Sequence, residues 1–226
     1  MKRILGGVVM AAAVGMSAAA LAADLDNRVW ESKQILDEYM QMPEQDRIPS
    51  SLLKSAKAVA IFPSMVKAGF VVAGQYGDGV VLVKDEATGK WSAPAFYRMS
   101  GASVGFQIGG QASDAVLVIT NERGVKGFLQ NKFTLGADAS VAAGPVGRDA
   151  EGKTDWQMKS SVYSYSRSRG LFAGVALDGM VINEDKAANT SYYGAGNTAD
   201  SILMKGSVQP SEKGKDLIQT LTQYAA

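Results

Sequence analysis

Apolar residues along this chain change spacing twice, from helical to strand-like and back again. From Leu25 to Met42, "LDNRVWESKQILDEYMQM" places Leu25, Val29, Leu36 and Met40 near helical spacing, with Trp30, Ile35 and Tyr39 beside them and Pro43 just beyond. That pattern predicts an amphipathic helix over 25–42, stopped by the proline. "RIPSSLLKSAKAVAIFP" then offers Ser50 or Ser51 as cap of a short helix through Leu52, Leu53 and Ala56, followed by "AVAIF" as a buried strand ended by Pro63. Between Gly69 and Gly179 the apolar residues fall into short β-branched and aromatic runs, among them "GVVLVKD", "DAVLVITN" and "SSVYSYSRS", separated by Gly-Asp, Thr-Gly and Asp-Gly pairs. Such runs predict antiparallel strands and hairpins, interrupted at "NERGVKGFLQN" by one or two helical turns. Helical signals return at "TADSILMKG", with Thr198 as cap and Gly206 as stop, and at "PSEKGKDLIQTLTQYA", which opens on Pro210.

The predicted fold class is α+β: a strongly curved antiparallel β-sheet, or barrel-like sheet, packed by N- and C-terminal helices. The sheet core spans about 57–185 and the C-terminal helices about 198–225. No repeat period or Pro/Ser-rich linker divides the chain, so residues 23–226 read as one domain. The 25 glycines, many within strand-like runs, point to bends, bulges and close backbone approaches.

The first residues change the picture of where the chain works. In "MKRILGGVVMAAAVGMSAAALAAD", Lys2 and Arg3 precede an apolar stretch that ends at Ala20-Leu21-Ala22. That three-part pattern is a secretory signal peptide over 1–22, cleaved within Ala22–Asp24, so the expected location is periplasmic or secreted. With no cysteine in the chain, neither a lipid-modified cysteine nor a disulfide is available. Lys and Arg total 23 against 22 Asp and Glu; without Lys2 and Arg3 the cations fall to 21 and the net charge to −1. Bulk attraction to nucleic acid needs a strongly basic domain, so no nucleic-acid partner is expected.

Having neither histidine nor cysteine, the chain has no Ser-His-Asp triad, no thiol nucleophile and no His- or Cys-ligated zinc. Two catalytic patterns remain. "GRDAEGKT", Gly147 to Thr154, matches G-x-x-x-x-G-K-[ST]. Gly144-Pro145 turns the chain before it, strand-like residues follow it, and Asp149 and Glu151 would repel a nucleotide's phosphates, so it reads as a polar turn and no nucleotide is expected. S-x-x-K occurs at Ser51–Lys54 and Ser64–Lys67 without the S-D-N and K-T-G partners that the chemistry requires. Glu31, Glu38, Asp114, Asp138, Asp155 and Asp178 could in principle supply a carboxylate pair, which keeps a periplasmic carboxylate-dependent hydrolase as an alternative.

From Ile48 onward, "IPSSLLKSAKAVAIFPSMVKAGFVVAGQYGDGVV", "WSAPAFYRMSGASVGFQIGGQASDAVLVI", "LGADASVAAGPVGRDAE", "YSYSRSRGLFAGVALDGMVI" and "YYGAGNTADSIL" resemble the SYLF domain family in ordered blocks. The resemblance implies a non-enzymatic module without cofactors that binds membrane phospholipids, phosphoinositides being the ligands described for eukaryotic members and actin for some fungal ones. It also implies lipid contact through an N-terminal amphipathic stretch carrying basic residues. Here those positions would be Lys54, Lys57 and Lys67, around Leu52, Leu53, Ile61, Phe62, Met65 and Val66. Arg167 and Arg169, with Arg148 as a further candidate, would form a second phosphate-holding patch. An exported member would meet anionic phospholipids of the envelope rather than cytoplasmic ones; an envelope protein-interaction module is the remaining alternative.

Overall fold

A computed structural model describes residues 18–44, 46–69, 72–104, 111–130, 132–144, 160–168, 171–172 and 177–226. In chain order the elements are α1 (Ala18–Met40), α2 (Ser50–Ser55), β1 (Ala58–Gly69), β2 (Val72–Val83), β3 (Ala95–Val104), β4 (Gln111–Ile119) and α3 (Glu122–Phe128). There follow β5 (Phe133–Thr134), β6 (Val141–Ala143), β7 (Val162–Ser168), β8 (Leu171–Phe172), β9 (Val181–Glu184), α4 (Lys186–Tyr193), α5 (Ala199–Met204) and α6 (Glu212–Tyr224). The strands form one strongly curved sheet in the order β5-β9-β3-β2-β1-β4-β7-β6, with β8 paired to β7. Every described pairing is antiparallel except β6 with β7. The expected α+β class and curved sheet are therefore present, with one parallel pair at an edge.

Both faces of the central strands are buried, which explains why their sequences are continuous apolar runs rather than alternations. Along β1, Ala58, Ala60 and Phe62 join one core cluster while Val59 and Ile61 join the other. On β4, Ala115, Leu117 and Ile119 likewise face the first, and Val116 and Val118 the second. Val125 and Phe128 of α3 and Ile202 and Leu203 of α5 cover the first face. Leu25, Val29, Leu36 and Tyr39 of α1, Leu52 and Leu53 of α2, and Leu217 and Leu221 of α6 cover the second.

Pro63 does not end the first strand. β1 continues through it to Gly69, because Pro63 and Ser64 lie in a bulge where the missing proline N–H leaves no gap in the ladder. β1 uses one residue more than either neighbour here: Ile61 and Val66 face Val80 and Tyr76 on β2, and Phe62 and Met65 face Ala115 and Ser113 on β4. Ser64 takes the left-handed φ of 52° that this bulge demands.

Helix ends follow local chemistry with two departures from expectation. Thr198 caps α5 in a reciprocal capping box with Ser201, Ser211 caps α6, and Asn121 caps α3. At α2 neither Ser50 nor Ser51 is the cap; Pro49 holds that position without a side-chain bond, its fixed φ of −62° being ready for the entry into the helix. The helix α4, which apolar periodicity does not announce, begins where Asp185 accepts the Ala188 amide at 3.0 Å. "GRDAEGKT", Arg148, Arg169 and Asp155 lie outside the described residues.

Candidate functional site

Lys54 and Lys57 come together at one end of the sheet, where α2 hands over to β1. Lys54 is exposed in the last turn of α2. Its carbonyl oxygen accepts a hydrogen bond from Nζ of Lys84, which follows β2, at 3.1 Å. The chain brings Lys84 there because the backbone amide of Lys84 donates to the carbonyl of Lys57 at 2.8 Å, closing the β1–β2 ladder. Lys57 pairs with Glu86, and the ammonium of Lys84 also stands 5.7 Å from the centre of the Trp91 ring. Three lysines, from α2, just before β1 and just after β2, thus lie at one end of the sheet, Lys57 being paired with Glu86. Lys84 was not among the candidates from sequence; its approach depends on strand register, which no local pattern carries.

Lys67 is not part of this group. It sits near the opposite end of β1, where its backbone faces Gln75 and Gln111, roughly 30 Å along the strand from Lys57. The stretch from Ser50 to Gly69 is accordingly a short helix and a central strand, not one amphipathic element. Its apolar residues are committed to the core: Leu52, Leu53, Ile61, Phe62 and Met65 are buried, and only Val66 stands 49% exposed. They cannot enter a bilayer while the fold is intact.

Arg167 is already occupied. From β7 it reaches Glu38 on α1 and Asp114 on β4, the latter at 3.3 Å, and lies 5.6 Å from the centre of the Tyr39 ring. Burial alone would lower its pKa, and the two carboxylates outweigh that and raise it. Asp114 spends its other oxygen on the Ser64 amide at 3.1 Å. This is a knot joining α1, the β1 bulge, β4 and β7. It also consumes Glu38 and Asp114, two of the carboxylates available for acid–base chemistry, while Asp138 accepts the Thr134 amide at 2.7 Å. Among the described residues no group of three or more Asp or Glu side chains is arranged to hold a metal ion.

A cleft of about 300 Å³ opens between the outer face of α1 and the β1–β2 hairpin beyond the bulge. Arg28 forms part of its lining, with Nη2 3.7 Å from Asp24 and 3.6 Å from Asp78. Asp78 is further held by Arg98 at 2.9 Å and by the Tyr76 hydroxyl at 2.8 Å. Burial first and then the bond to Asp78 raise the Tyr76 pKa, so the phenol stays protonated at neutral pH.

Comparison with known proteins places the chain among relatives that share most of its length. The family described as "Ysc84: Las17-binding protein actin regulator" matches residues 100–224. "SH3 domain-containing YSC84-like protein 1" of Rattus norvegicus is 34% identical over 209 residues, covering 90% of this chain and 61% of the relative. The Homo sapiens protein of the same name is also 34% identical, with 90% of this chain and 60% of the relative covered. "LAS seventeen-binding protein 3" of Saccharomyces cerevisiae (strain ATCC 204508 / S288c) is 38% identical over 181 residues, 79% of this chain and 39% of the relative. The chain therefore spans less than two thirds of the length of these curated relatives. It belongs to the Ysc84 family, whose shared unit is the SYLF domain.

Proposed function

We propose that this chain is an exported, non-enzymatic SYLF-type module that docks on anionic phospholipid through the lysine edge at Lys54 and Lys57, extended by Lys84. The observation that carries the reading is that the Lys84 ammonium reaches the backbone carbonyl of Lys54 at 3.1 Å, at the end of the sheet where Lys57 also lies. Because the neighbouring leucines are buried, the contact is electrostatic and peripheral rather than insertive. Each lysine near an anionic surface contributes about 1 kcal/mol at moderate salt, partly offset here by Glu86, so attachment is weak, reversible and salt-sensitive. The leader over 1–22 fits delivery to the envelope, where anionic phospholipid is the available surface.

Co-sedimentation of the processed protein with phosphatidylglycerol vesicles tests this. Binding should grow with the anionic fraction, weaken in high salt, and fall when Lys54, Lys57 and Lys84 are changed together to Ala. Absence of binding at low salt, or binding indifferent to the triple change, overturns it. Protein binding is the second reading, supported by relatives whose names describe Las17 binding.

A further inference from the structure

The cleft between α1 and the β1–β2 hairpin has a chemistry opposite to that of the lysine edge. Its rim carries Asp24 and Glu31 from α1, about two helical turns apart, and Asp78 from β2 also lines it. Arg28 between them balances part of this charge, and Arg98 balances Asp78. Glu31, exposed on the outer face of α1, has no ion pair or hydrogen bond among the described residues, and Asp24 is 58% exposed with Arg28 at 3.7 Å, beyond hydrogen-bond range. The excess at the rim is negative.

Directly beside these carboxylates stands an apolar pair. Val66 and Tyr76 face one another across β1 and β2 and are 49% and 42% exposed, among the few large apolar side chains left open to solvent among the described residues. Val59, Ile61, Val80 and Leu82 of the same strand pair are buried, whereas these two stand uncovered just past the bulge. Tyr76 is held in place from two sides, by its bond to Asp78 at 2.8 Å and by the Arg98 guanidinium 5.3 Å from its ring centre, so it offers a fixed surface.

From this arrangement we infer that the cleft is a docking site for a basic segment of a protein partner, an arginine or lysine flanked by an apolar residue. The cation meets Glu31 at the rim, and its neighbour lies on Val66 and Tyr76. Charge complementarity selects this occupant: rim carboxylates repel lipid phosphates, and a bare metal ion would leave the apolar pair unused. A volume of about 300 Å³ admits one or two side chains, which suits a short linear segment better than a folded face. The inference stands on different residues from the lipid reading, and each survives failure of the other.

Fluorescence anisotropy with the purified protein and a labelled short peptide alternating arginine and leucine tests it, the same peptide with glutamate for arginine serving as control. Binding of the basic peptide alone is expected, weakened roughly ten-fold by Glu31→Lys and several-fold by Val66→Ser, with Lys126→Ala on α3 without effect. Both changed side chains are exposed and Glu31 is unpaired among the described residues, so folding is kept and is verified by an unchanged unfolding midpoint. Equal binding of both peptides, or basic-peptide binding untouched by Glu31→Lys, overturns the inference. So does a Glu31-dependent association of the protein with itself or with vesicles in the absence of peptide binding.

Discussion

The Ser64 amide donates to Oδ1 of Asp114 at 3.1 Å, tying the left-handed residue of the β1 bulge to the strand beside it. The same carboxylate holds Arg167 at 3.3 Å through its other oxygen. Asp114→Ala removes both partners at once, leaving a largely covered guanidinium and a strained backbone with one support fewer. We expect a loss of about 1–3 kcal/mol in chemical denaturation. Arg167→Ala should likewise lower stability while leaving vesicle binding at its wild-type level. Loss of vesicle binding from a folded Arg167→Ala protein would show that the arginine meets lipid in spite of its two carboxylates.

Gly79 sits under the bulge. A methyl group there would press into the carbonyl oxygen of Ile61 and come within 2.9 Å of the Cα of Phe62, both of them backbone atoms of the central strand that cannot step aside. Gly79→Ala should cost about 2–4 kcal/mol. Gly74 on the same strand has nothing within 4 Å of such a methyl, and Gly74→Ala should change stability by less than about 0.5 kcal/mol. Thermal unfolding of the two variants side by side checks the contrast; equal midpoints would mean that the bulge yields.

That contrast also marks what a sequence can carry. "AVAIF", "VVLV" and "AVLVI" announce buried strands because sheet burial on two faces writes itself as continuous apolar runs, and Thr198 announces a helix because capping is local. The curvature expected from glycine-rich strands is there, and Gly79 shows its cause in a close backbone approach. Pro63 misled because a proline's place in a strand depends on a bulge, which is a relation among three strands. The same holds for the candidate site. Lys54 and Lys57 are neighbours along the chain and stay neighbours in space, whereas Lys67 is carried to the far end of β1 and Lys84 is brought in by register. Arg167 read as a free cation because its carboxylates, Glu38 and Asp114, are distant in sequence. The carboxylate-edged cleft has no signature at all, since it pairs one face of α1 with a hairpin.

Asn189 is a buried polar residue that the apolar pattern passes over. Its Oδ1 accepts the Phe96 amide at 2.8 Å, and its Nδ2 donates to the Phe96 carbonyl at 3.3 Å and to Glu184 at 3.2 Å. The side chain thereby completes the backbone pairing of β3 where β9 gives way to α4. Asn189→Ala would strand the Phe96 N–H in the core, costing about 2–3 kcal/mol. Amide hydrogen exchange localises the effect: Phe96 should lose protection ahead of the central residues of β1, and uniform loss across the sheet would contradict a local role.

Asp26 gives the fold a dependence on acid. Burial would raise its pKa, but hydrogen bonds from Tyr192 at 2.6 Å and Ser211 at 3.0 Å, with Lys213 at 3.4 Å, outweigh this and leave it below the ordinary value of 3.8. These partners come from α4, from the cap of α6 and from its first turn, so one carboxylate clasps three helices over the second core face. A pKa lower in the folded than in the unfolded chain means that the unfolded chain takes up the proton more readily. The stabilisation is therefore complete above pH about 4 and disappears as pH falls through the lowered folded value. Asp26→Asn should be less stable than the parent by about 1–2 kcal/mol at neutral pH, and the gap should narrow below pH about 4 as the parent's carboxylate is protonated. Urea unfolding of both proteins across that range reads the gap directly, and a difference that stays constant with pH would show that Asp26 acts through shape rather than charge.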